Sequence, residues 1–196
     1  MAHAFSPYDG LPSAVTGLEP PSRPFAALPP RLRRELRVDH VGELVAVRLY
    51  DGALAGTRDA GVRRFAAGHR LIEREHLRLF EAYLPVPARS RLEAFWRVAG
   101  WLLGWVPARL GPAALYAVVG GVERWVDGHY ARQIALARRM GTDPELIRML
   151  EACRSDEARH AEDVEELHPQ APWWAKALAG VAVGCSRAGV LVARWV

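Results

Sequence analysis

The sequence predicts an all-α protein, a four-helix bundle carrying two additional apolar helical segments. Three observations lead there. Apolar residues recur at steps of three and four along four long stretches. A Glu-x-x-His spacing occurs in the first half of the chain at Glu73-x-x-His76 and again in the second half at Glu157-x-x-His160. Each is preceded by a lone acid on the helical stretch before it, Glu43 ahead of Glu73 and Glu123 ahead of Glu157, at closely similar separations.

On a helix, residues three apart share a face, so a carboxylate and an imidazole at this spacing reach the same metal ion. One match means little, because chance pairing of Glu with His in this composition gives about 0.5 such spacings. The third match, Glu165-x-x-His168, abuts Pro169 in the acidic run Glu162, Asp163, Glu165, Glu166 and reads as a solvated helix end. The other two, taken with their lone acids, write one pattern twice. That pattern is the ligand set of a ferritin-like di-iron or di-manganese carboxylate bundle. The candidate metal ligands are therefore Glu43, Glu73, His76, Glu123, Glu157 and His160.

With 196 residues the chain suits one domain, expected over 31–196 after a flexible N-terminal lead over 1–30 rich in Pro, Gly and Ser. The net charge of +4 comes almost wholly from arginine, with Lys176 the single lysine. It gives little weight to nucleic acid as a partner, whereas arginine beside apolar helices suits anionic lipid. Cys153 and Cys185 show neither metal-ligand spacing nor disulfide density, which fits a reducing cytosol. No secretory signal or Arg-rich transit peptide is apparent over 1–20, a stretch without Lys or Arg.

The first helix begins near Leu32 and places Leu36, His40, Glu43, Val47, Tyr50 and Leu54 on one stripe. A carboxylate on that buried stripe is costly unless paired or bound to metal. After a break over 56–61, a second helix runs from about Val62 to Tyr83, stopped by Pro85 and Pro87, with Glu73 and His76 among apolar core positions. His69, one turn earlier, reads as a supporting histidine, because the ligand set is complete without it.

From Phe95 to Val122 the chain turns aromatic and apolar, interrupted at Pro107 and Gly111-Pro112. Each piece is too short to span a bilayer; Trp and Arg at the borders suit a hairpin resting in the membrane interface, the competing reading being a helix packed on the bundle or a dimer contact. A long helix then continues to Met140, with Glu123 and Tyr130 on one stripe. Gly141 and a Thr142-x-x-Glu145 capping box open the last ligand helix, where Cys153, Glu157, His160 and Val164 face inward and Asp156 is placed to orient a histidine of the neighbouring helix. Residues 172–195 read as a further amphipathic helix.

The motifs Arg37-Val38-Asp39-His40-Val41-Gly42-Glu43, Glu73-x-x-His76-Leu77, Val122-Glu123 with His129-Tyr130, and Asp156-Glu157-x-x-His160 together resemble the demethoxyubiquinone hydroxylase family of ubiquinone biosynthesis. The resemblance runs from about Leu32 to the C-terminus. It implies a peripheral membrane enzyme on the cytoplasmic side of the bacterial cell membrane, a di-iron monooxygenase that hydroxylates a prenylated methoxy-benzoquinol with O2 and electrons from NADH. It implies two iron ions, with manganese as the alternative, held by the six candidate ligands. By position His129 and Tyr130 match a pair tied to substrate or electron handling, and Asp39 and His40 match supporting positions. Further partners would be other ubiquinone-biosynthesis proteins and a second copy of the chain. Val41, Ser155 and His69 depart from the family pattern without removing a ligand. The competing readings are a soluble ferritin-like oxidase or peroxidase, a non-catalytic membrane-associated assembly protein, and a tRNA-modifying di-iron hydroxylase, which the apolar hairpin opposes.

Overall fold

The computed structural model describes residues 13–168 and 170–196. Among them are six α-helices and no strand: α1 (Pro30–Gly56), α2 (Ala60–Tyr83), α3 (Glu93–Leu110), α4 (Pro112–Arg139), α5 (Pro144–Leu167) and α6 (Trp173–Ala193). Helices α1, α2, α4 and α5 form the bundle, α1 paired with α2 and α4 with α5, while α3 lies on α1 and α6 on α4. These two outer helices are the additional apolar segments.

Local chemistry sets the boundaries. Proline opens α1, α4 and α5, where its missing N–H would have had no helical partner anyway. Asp59 caps α2, accepting the Val62 N–H at 2.8 Å. At α5 the cap is Asp143, accepting the Glu145 N–H at 2.9 Å, so the capping box expected at Thr142 is displaced by one residue. Glu145 is engaged elsewhere, accepting both the N–H and the hydroxyl of Ser22 at 2.7 Å.

The 95–122 hairpin needs correction in its details. Pro107 lies within the last turn of α3 and does not break it. The reversal falls at Gly111, whose φ of 113° is open to glycine and strained for other residues. The segment 113–122 is then the first part of α4 itself, continuous with the turns that carry Glu123.

Two glycine pairs bring α3 against α1. A methyl at Gly52 would lie 2.0 Å from the Trp101 carbonyl oxygen, and one at Gly104 would lie 1.8 Å from that of Leu49. Gly56 and Gly100 meet the facing helix almost as closely. With its small residues spent on this seam, α3 turns Phe95, Val98, Leu102 and Val106 outward. Helix α6 does the same, burying Ala175, Ala179 and Ala182 on its inner face and exposing Trp173, Val181 and Leu191. By length and composition α6 is also apolar enough to cross a membrane. It is therefore less an apolar-inside amphipathic helix than one with small residues inside and large apolar ones outside.

Positions 1–12 of the expected lead lie outside the described residues. The part that follows is tethered: Val15 is fully buried against Leu36, Leu79 and Cys153, and Ser13 bonds to α5. Its short apolar residues fill the end of the bundle, which composition alone does not reveal.

The interior is layered. One apolar cluster, with Leu36, Leu79, Tyr130, Leu150 and Cys153, closes one end. A second, with Tyr50, Phe65, Leu115 and Val164, closes the other. Along each of the four helices the candidate ligands fall between these layers.

Candidate metal centre

Glu43 comes from α1, Glu73 and His76 from α2, Glu123 from α4, and Glu157 and His160 from α5. All six are buried, none more than 4% exposed. Their ligand atoms fall into two groups of four: Glu43, Glu73, His76 and Glu157 in one, Glu73, Glu123, Glu157 and His160 in the other. Glu73 and Glu157 belong to both. The contact atoms show how. Glu73 presents Oε2 to His76 Nδ1 at 3.6 Å and Oε1 to His160 Nδ1 at 3.0 Å. Glu157 presents Oε1 to His76 Nδ1 at 3.4 Å and Oε2 to His160 Nδ1 at 3.7 Å. Each of these carboxylates therefore faces both groups, whereas Glu43 and Glu123 each belong to one.

Glu43 and Glu123 are braced crosswise. Tyr50 of α1 donates its hydroxyl to Glu123 Oε1 at 3.0 Å, and Tyr130 of α4 donates to Glu43 Oε1. Each tyrosine stands seven residues after the lone Glu on its own helix and holds the Glu of the other. Sequence reasoning places Tyr50 on the stripe and no further; the repeated Glu-x6-Tyr spacing is the signal that could have found its role.

Behind the imidazoles the two halves differ. His76 Nε2 lies 3.0 Å from Asp156 Oδ2, so Asp156 orients the histidine across the α2–α5 interface. His160 Nε2 has no hydrogen-bond partner among the described residues. Its flank is the ring of His69, 4.4 Å away between centroids, fixed by the Phe65 carbonyl oxygen 3.0 Å from Nδ1 and by Asp163 3.2 Å from Nε2. Asp39 holds Gln133 at 2.5 Å and His129 at 3.2 Å. His40 does not join the group: it is buried, bonds to nothing among the described residues, and its charged neighbours are Arg89, Glu93 and Arg97. Burial, then Arg89, lower its pKa to about 4, so it is neutral.

Burial opposes charge at the candidate ligands. It pushes Glu43 up to about 8 and Glu123 well above the carboxylate range. At Glu73 burial is outweighed by the two nearby imidazoles, which hold it below that range. At Glu157 they outweigh both burial and the Glu73 charge. The same contacts overcome burial at His160 and lift its pKa well above the usual imidazole value.

This donor set fits a pair of divalent ions. Both Glu73 oxygens and the Nδ1 atoms of His76 and His160 are buried without well-formed hydrogen bonds, though they face one another. Polar atoms so placed call for a cation, and four carboxylates with two imidazoles suit iron or manganese over softer-ligand metals. The centre opens on a cavity of about 190 Å³. Glu43, Glu123, Glu157, Tyr130 and His129 line it, and its remaining walls are mostly apolar, drawn from α1, α3, α4 and α6.

Residues 30–193 match the family described as ubiquinone biosynthesis protein COQ7. The chain belongs to this family. Among its relatives, this COQ7-family chain is 33% identical to a 3-demethoxyubiquinol 3-hydroxylase of Paracidovorax citrulli, over 80% of the chain and 76% of the relative. It is 39% identical to a protein of the same description from Rhodospirillum rubrum, over 65% and 60%. It is 35% identical to an NADPH-dependent 3-demethoxyubiquinone 3-hydroxylase, mitochondrial, of Dictyostelium discoideum, over 66% and 61%. The match thus spans about three fifths of the length of two of these relatives. The matched region contains all six candidate ligands of this COQ7-family chain and begins after the tether at 13–15.

Proposed function

We propose that the chain is a di-iron monooxygenase that hydroxylates the ring of a prenylated demethoxyubiquinol in ubiquinone biosynthesis. The observation that carries this reading is the pair of buried four-ligand groups sharing Glu73 and Glu157 and opening on an apolar cavity. Relatives with hydroxylase descriptions point the same way. Glu43, Glu73, His76 and Glu157 would hold one ion, Glu73, Glu123, Glu157 and His160 the other, with manganese as the alternative metal. When bound, the two ions supply the redox chemistry that reduces O2. Overall, one oxygen atom replaces a ring hydrogen as a hydroxyl and the other leaves as water, using two electrons and two protons. Those electrons trace to a reduced nicotinamide, NADH by the sequence resemblance and NADPH by the descriptions of two relatives.

The chain's own residues prepare this step. Tyr50 and Tyr130 keep the carboxylates of Glu123 and Glu43 from swinging. The apolar walls exclude water and receive the ring, and His129, held by Asp39, stands at the wall with Tyr130 as a polar contact for the quinol oxygens. The outward apolar faces of α3 and α6 rest on the cytoplasmic side of a bacterial cell membrane, where a prenyl tail resides.

The test has two arms. Iron is counted per purified chain, and a bacterial strain blocked at the methoxy-hydroxylation step is given the chain or its His160→Ala form. About two iron ions per chain and ubiquinone restored only by the unaltered chain are expected. Equal rescue by both forms would remove His160 from the mechanism.

A further inference from the structure

Asp156 is the best-supported carboxylate near the centre that is not itself a candidate ligand. Its Oδ2 accepts the Ser13 hydroxyl at 2.7 Å and lies 3.0 Å from His76 Nε2. The Ala14 N–H lies 2.9 Å from both of its oxygens, and the Arg159 guanidinium donates to Oδ1 at 2.9 Å. Ser13 is itself fixed, accepting the Val15 N–H at 3.2 Å. Val15, fully buried, packs in the cluster that includes Tyr130 and Cys153. Ser13 and Asp156 are 143 positions apart in the chain, and the segment 13–15 precedes the first residue of the family match.

We propose that the segment 13–15 is a strap that positions one half of the metal centre by holding Asp156 against His76. A buried carboxylate holds one orientation most firmly when hydrogen bonds engage both of its oxygens. Ser13, Ala14 and Arg159 together engage both Asp156 oxygens, so that Oδ2 stays against His76 Nε2 and His76 Nδ1 faces Glu43, Glu73 and Glu157. His160 has no equivalent, since its Nε2 meets no hydrogen-bond partner among the described residues. The strap therefore acts on the His76 position and not on the His160 position. The two metal sites, alike in their ligands, differ in affinity, and the His76 site fills first.

This inference rests on the di-metal reading, and the experiment separates the two. The full-length metal-free chain is titrated anaerobically with ferrous iron by calorimetry, alongside Ser13→Ala, Ser13→Thr, Asp156→Asn and the Ser13→Ala/Asp156→Asn double variant. Outer-shell partners of ligating histidines typically govern 10–100-fold of metal affinity. Ser13→Ala should weaken the tighter step by about tenfold, at the low end of that range, and leave the other step unchanged. Ser13→Thr, which keeps the hydroxyl, should restore it. The double variant should bind no more weakly than Asp156→Asn alone, because the serine acts through that carboxylate. Unchanged binding in Ser13→Ala, or equal weakening of both steps, would overturn the strap. Hydrogen exchange at the Ala14 amide supplies a readout that needs no metal. It should be slow in the unaltered chain and fast in Asp156→Asn, and fast exchange in the unaltered chain would also overturn the strap. A chain that binds no iron would defeat the di-metal reading while leaving the amide result to decide the strap.

Discussion

Tyr50 on α1 donates its hydroxyl to Glu123 on α4 at 3.0 Å, and through that bond the first helix of one hairpin holds the lone acid of the other. Tyr130 returns the same contact to Glu43. Removing either hydroxyl while keeping the ring leaves a buried carboxylate short of a donor, a change that costs about 1–3 kcal/mol. Tyr50→Phe and Tyr130→Phe should each lower thermal stability by an amount of that order and reduce iron per chain. Similar losses in the two variants are expected from the crossed arrangement. Full iron loading in Tyr50→Phe would show that the brace does not matter to the metal.

His40 gives a pH dependence separate from the candidate metal ligands. Its pKa is lowered to about 4 in the fold, from 6.5 for a free imidazole. The unfolded chain therefore binds a proton that the folded chain refuses, so stability is complete above about pH 6.5 and falls as the pH drops toward 4. The loss from this residue reaches ~3 kcal/mol. Denaturant melts of the unaltered chain and of His40→Leu at pH 7 and pH 5 measure it. The stability difference between those two pH values should shrink in the variant; an identical pH slope in both would contradict the assignment.

Cys185 is exposed and lines the cavity, whereas Cys153 is buried. A bulky maleimide should modify Cys185 alone in the folded chain and obstruct the route to Glu43 and Glu123. Turnover of a short-chain demethoxyubiquinol should fall severalfold on labelling, and Cys185→Ser should resist the reagent. Undiminished turnover in the labelled chain would mean that the ring enters elsewhere.

Gly104 and Gly180 make a matched pair of helix glycines. A methyl at Gly104 meets the Leu49 carbonyl oxygen at 1.8 Å, but one at Gly180 meets nothing within 4 Å. Gly104→Ala should cost about 3 kcal/mol, a fall of about 6–12 °C in melting temperature. Gly180→Ala should be neutral or gain up to about 1 kcal/mol from helix propensity. Equal melting temperatures for the two variants would refute the close approach of α1 and α3.

What the sequence made legible was periodic. The two Glu-x-x-His pairs and their lone acids sit on apolar stripes, and a buried charge on such a stripe advertises a partner. Asp156, one step from Glu157, could be placed against the opposite histidine by the same geometry. Pairings set by close approach or by distant chain segments were harder to see. The glycines at 52, 56, 100 and 104 recur at a spacing of four on two helices, yet that spacing does not say which helix they face. The hold of Ser13 on Asp156 bridges nearly the whole chain and leaves no local trace. His40 shares a stripe with Glu43, yet it points among Arg89, Glu93 and Arg97, because α3 covers that side of α1.

The glycine seam also fixes a doorway. With the backbones of α1 and α3 in contact at this seam, a hydrocarbon chain finds no gap between them there, and the cavity beside Glu43 and Glu123 is walled on its outer side by α3 and α6. Cys185, Ser186, Gly189 and Val190 are the share of that wall that α6 supplies. A long-tailed guest would berth head-first, with its tail trailing past α6, and a chain variant that pinned α6 to α3 would shut the guest out without altering any of the six candidate ligands.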